Sequence, residues 1–74
     1  MAVFNERLRL LRTTGNYKQK DIATYLEVSV RAYQHYETGT RYPDFHGLQK
    51  LADFFGVSVD YLLGRDNFAN KNSD

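Results

Sequence analysis

The chain has 74 residues, ten Lys/Arg against nine Asp/Glu, and no cysteine. That length excludes a second domain and lies near the size at which one hydrophobic core only just suffices for folding; without cysteine, neither disulfides nor thiolate metal sites can add to it. No apolar run approaches the roughly 18–20 residues of a membrane span, and MAVFNERLRLLR lacks the unbroken apolar core of a signal peptide, so a soluble cytoplasmic protein with no membrane association is expected.

Apolar periodicity predicts five helices and no strand, an all-α domain. In the first, roughly 3 to 14, Phe4, Leu8 and Leu11 recur on one stripe with Arg7, Arg9 and Arg12 off it, and Gly15 and Asn16 end it. The second, about 18 to 26, gathers Ile22, Ala23 and Leu26 on one face. Only Glu27 and Val28 separate it from Ser29, the expected N-cap of the third. The loop TGTRYPD leads to Asp44, the cap of a fourth helix of about 45 to 55 whose predicted buried face is Phe45, Leu48, Leu51, Ala52 and Phe55. Gly56 stops it, and Ser58 caps a short last helix through about Leu63. From Gly64 onward, GRDNFANKNSD shows no periodicity and reads as a flexible polar tail, or a severed linker, over residues 65–74.

The third helix carries the informative pattern. At about 3.6 residues per turn, Ala32, Tyr33 and Tyr36 of SVRAYQHYE fall on one side, while Val30, Arg31, Gln34 and His35 gather on the other. One face suits burial and the other hydrogen bonding. Charge is also polarised, at +3 over residues 1–42 and −2 over residues 43–74, so that a positive face can meet an anionic partner despite the small net charge.

RLRLLR, QKDIA, VS, YETG, YPDF, LA and FFGVSVDYLLG, taken together, make the stretch from Arg7 to Gly64 resemble the DNA-binding domain of phage Cro and lambdoid repressors, the XRE family. The resemblance implies a compact five-helix, lambda-repressor-like helix-turn-helix domain over residues 1–64. It also implies a prophage-type transcriptional repressor, bacterial or phage-encoded and nucleoid-associated, that binds double-stranded DNA at an inverted-repeat operator as a homodimer. An antitoxin or restriction-modification controller of the same fold, or an interaction module without DNA binding, are the alternatives.

By the same resemblance, Val30, Arg31, Gln34 and His35 contact bases in the major groove, while Gln19, Lys18 and Arg41 contact phosphates. Arg31 suits guanine N7 and O6, Gln34 suits adenine, and Val30 suits a thymine methyl. Tyr61, Leu62, Leu63 and Phe54 are candidates for the dimer contact, unless Leu62 and Phe54 simply complete the core. Two departures stand out: Glu27 occupies the turn where the family commonly has glycine, and Lys18 stands where a Ser or Thr cap is common. His35 and His46, eleven apart with no cysteine, do not make a metal site. No nucleophile and base pair or phosphate-binding glycine loop is present, so neither a cofactor nor enzymatic activity is expected.

Overall fold

The computed structural model describes residues 3–65, and the expected tail lies, apart from Arg65, outside the described residues. These residues form α1 (Val3–Thr14), α2 (Gln19–Leu26), α3 (Val30–Thr38), α4 (Phe45–Phe55) and α5 (Val59–Leu62), with no strand among them. Helix starts follow the local chemistry of their caps. Ser29, Asp44 and Ser58 each accept the backbone N–H of the residue three further on, at 3.0, 2.8 and 2.9 Å. The Lys18 side chain has only donors and cannot do this. Instead Asp21 accepts the Lys18 backbone N–H at 3.0 Å, which supplies half of a capping box at the start of α2.

All five helices end in the same motif. Asn16, Glu27, Gly39, Gly56 and Gly64 (φ 62–83°) take the left-handed conformation, and the next N–H reaches back five residues: Tyr17 to Arg12, Val28 to Ala23, Thr40 to His35, Val57 to Ala52 and Arg65 to Asp60, at 2.8–3.0 Å. At α1 this residue is Asn16 rather than Gly15. Between α2 and α3 it is Glu27, which retains the turn at a backbone cost of about 1–2 kcal/mol.

Phe4 and Leu8 of α1, Ile22, Ala23 and Leu26 of α2, Tyr33 of α3, Leu51 and Ala52 of α4, and Leu62 of α5 form the core. Burying each large apolar side chain is worth about 1.5–3 kcal/mol, which is what holds such short helices together. α3 packs on α1 and α2, α4 on α2 and α5, and α1 closes against α5.

One expectation needs correction, and burial separates the two alternatives left open for Leu62. Phe45 has the helical phase of the α4 core stripe, yet it is 67% exposed. It is the first residue of α4, and no other element covers that turn, so the buried stripe begins with Leu48. Leu62 is fully buried, and as α5 is a single turn closing over α1 and α4, it completes the core rather than offering its side chain to a second copy.

Candidate nucleic-acid interface

The tight turn at Glu27 and the cap at Ser29 deliver α3 to the surface with one side fastened. Tyr33 is wholly buried, and Tyr36 stands half-buried beside it with ring centroids 6.3 Å apart and nearly perpendicular. Tyr33 therefore fixes the rotation of the helix about its axis. Val30, Arg31 and Gln34 are left exposed and His35 half-buried, which is the separation that the helical phase predicts.

The loop after α3 folds back onto the helix end, because the N–H groups of Gly39, Thr40 and Arg41 all bond the His35 carbonyl. This return brings Arg41 to the outer face. Ser29, Arg31, Ala32, His35 and Arg41 line a shallow notch of about 220 Å³ there, so two arginines border one depression. A larger depression, about 350 Å³, lies between the turn and the start of α4 beside Tyr36, Pro43 and Lys50, and none of the outward α3 residues lines it.

Behind the helix lies an arrangement that the sequence reading missed. Glu37 is 4% exposed, and its carboxylate accepts from both Nε and Nη2 of Arg12, the latter at 3.1 Å, from the Tyr33 hydroxyl at 2.6 Å, and from Gln19 Nε2 at 3.2 Å. Burial pushes the Glu37 carboxyl up, but the hydrogen bonds from Arg12, Tyr33 and Gln19 outweigh it and hold the group below its usual range, ionised at neutral pH. Burial, reinforced by the adjacent carboxylate, pushes the Tyr33 phenol far up, so it stays a donor. A paired and fully bonded buried charge of this kind costs little while intact and several kcal/mol when one partner is removed. The available signal was Glu37 itself, which falls one turn after Tyr33 on the buried side of α3.

Gln19 and Gln34, both expected to contact DNA, are joined in the structure: Gln34 Nε2 donates to Gln19 Oε1 at 3.1 Å. Lys18 is exposed at the start of α2. The four candidate dimer residues differ in exposure. Leu62 is in the core, and Phe54 is wrapped by Tyr17, Tyr25 and Phe55 with ring centroids 4.9–5.0 Å away. Tyr61 is half-buried under the Arg7 guanidinium, 4.3 Å from its ring, and Leu63 is 41% exposed.

Two helices joined by a tight turn, the second fastened to the core on one side and showing a row of hydrogen-bonding side chains on the other, define a helix-turn-helix. The sequence profile of the helix-turn-helix family matches residues 8–62, and the chain belongs to that family, in its XRE branch. It is 41% identical to the SPbeta prophage-derived HTH-type transcriptional regulator YonR of Bacillus subtilis over 82% of this chain and 56% of that protein. It is 39% identical to the HTH-type transcriptional regulator ImmR of the same organism over 90% of this chain and 53% of that protein. With the cryptic phage CTXphi transcriptional repressor RstR of Vibrio cholerae it shares 33% identity over 82% of this chain and 55% of that protein. The chain spans just over half the length of each of these relatives. No solved structure matches it significantly.

Proposed function

We propose that the chain is a sequence-specific DNA-binding transcriptional regulator, a prophage-type repressor acting in the cytoplasm, which lays α3 in the major groove of its operator. The observation that carries this reading is the rotational fixing of α3 by buried Tyr33, with Gln34 left exposed and Arg31 exposed beside Arg41. Arg31 offers two donors to guanine N7 and O6, Gln34 a donor and an acceptor to adenine, His35 a further polar contact and Val30 an apolar one for a thymine methyl. Lys18, Arg41 and the remaining N–H of Gln19 supply phosphate contacts that position the helix without reading sequence. The names of the relatives, regulators and repressors from phage contexts, support the prophage assignment.

One recognition helix touches too few bases to select a site against a genome, so the functional unit is a homodimer on an inverted repeat. Phe54, Tyr61 and Leu63 in the acidic second part of the chain are the contact candidates that retain some exposure, while the basic residues 1–42 supply the DNA side. Two-fold symmetry then sets half-site centres about 34 Å apart, one turn of the duplex. The test is selection of sites from random duplex DNA followed by insertion of about five base pairs, half a turn, between the half-sites. Cooperative binding lost on insertion supports the reading. Selection of no preferred sequence refutes DNA reading, and undiminished cooperativity refutes the paired arrangement.

A further inference from the structure

Resting on the DNA-reading role proposed above, we infer that buried Glu37 fixes the amide orientation of Gln34 through Gln19, and is a positioning residue for the base that Gln34 reads. An ionised carboxylate only accepts, and Glu37 Oε1 lies 3.2 Å from the Gln19 amide nitrogen. Were that amide reversed, two acceptor oxygens would face each other at this distance with no proton between them. Gln19 must therefore turn Nε2 inward and Oε1 outward.

The constraint then passes to the surface. Gln19 Oε1 accepts a hydrogen bond from Gln34 Nε2 at 3.1 Å, which makes the Gln34 nitrogen face Gln19 and its oxygen face away. One N–H and one oxygen of Gln34 remain, a donor and an acceptor in a set order, which is what the N7 and N6–H₂ edge of adenine complements. An unheld glutamine amide turns freely about its broad last torsion and presents the two groups in either order. The second N–H of Gln19 is spared as well, on the side where a phosphate is proposed. A carboxylate beneath the reading helix thus sets the polarity of an amide upon it.

The experiment is selection from random duplex DNA with the full chain and three variants. Gln34→Met identifies the base position that Gln34 reads; Glu37→Gln removes the acceptor-only group; Gln19→Met breaks the connection while leaving the Arg12–Glu37 pair. The wild type is expected to prefer one base there by about 5- to 100-fold, the range for one bidentate pair. Glu37→Gln and Gln19→Met should each lose most of that preference while keeping the preference at the position that Arg31→Ala identifies. Loss of stability alone cannot flatten one base position and spare another. Gln19→Met carries the test by itself if Glu37→Gln does not fold. Full wild-type preference in a folded Gln19→Met chain overturns the inference, as does the absence of any position sensitive to Gln34→Met. A wild type that selects no sequence removes instead the DNA-reading role beneath it.

Discussion

Tyr33 and Glu37, one turn apart on the inner side of α3, are joined by a 2.6 Å hydrogen bond from a fully buried phenol to a nearly buried carboxylate. The ring supplies apolar contact and the hydroxyl supplies a donor, so the two parts of the side chain separate by mutation. Tyr33→Phe should cost about 1.5–3 kcal/mol, the worth of a hydrogen bond to a charged group, and Tyr33→Ala about 3–5 kcal/mol. Denaturant unfolding measures both. A Tyr33→Ala chain as stable as wild type yet unable to bind DNA would put the ring on the wrong face.

The depressed Glu37 pKa gives stability a direction in pH. Because the folded state holds the carboxyl below its usual range, the contribution is complete above an unfolded value of about 4.3 and is lost as pH falls through the folded value. Stability should decline in that acid window by at most about 1.4 kcal/mol per pH unit from this group. In Glu37→Gln the same share of the acid loss should vanish, along with stability at neutral pH. Unfolding curves from pH 6 down to about 2 distinguish the two chains, since acid denaturation is carried by such paired carboxylates; parallel declines would mean that Glu37 does not titrate as described.

Glu27 holds φ 62° at the turn without glycine. Glu27→Gly should remove a strain of about 1–2 kcal/mol, less the larger unfolded-state entropy of glycine, leaving a net gain of under about 1 kcal/mol. The sign of the change in melting temperature decides it. A loss would show that the exposed Glu27 side chain contributes something the turn geometry does not explain.

Much of this was legible from the chain itself because the determinants are local. Ser29, Asp44 and Ser58 announce helix starts, Gly56 a stop, and the phase of Tyr33 alone separates Arg31 and Gln34 from the core. What escaped was non-local. The Arg12–Glu37 pair joins residues 25 apart, and a charged residue on a helix looks solvated until the partner that neutralises it is known. Helical phase also misplaced Phe45, because periodicity says which way a side chain faces and not whether anything lies across from it. Leu62 shows the converse: a one-turn helix has no face to spare once its single leucine is needed to close the core.

Everything proposed for function depends on the outer side of α3 reading base sequence. The most direct measurement is the affinity of wild type and Arg31→Ala for the selected site and for a scrambled duplex, across a range of salt. Arg31→Ala should weaken specific binding by about 1–3 kcal/mol, leave scrambled-site binding nearly unchanged, and relax preference at one base position. Both chains should lose affinity steeply with salt, because phosphate contacts release counterions. Equal weakening on the selected and scrambled duplexes would make Arg31 a phosphate contact and contradict that reading.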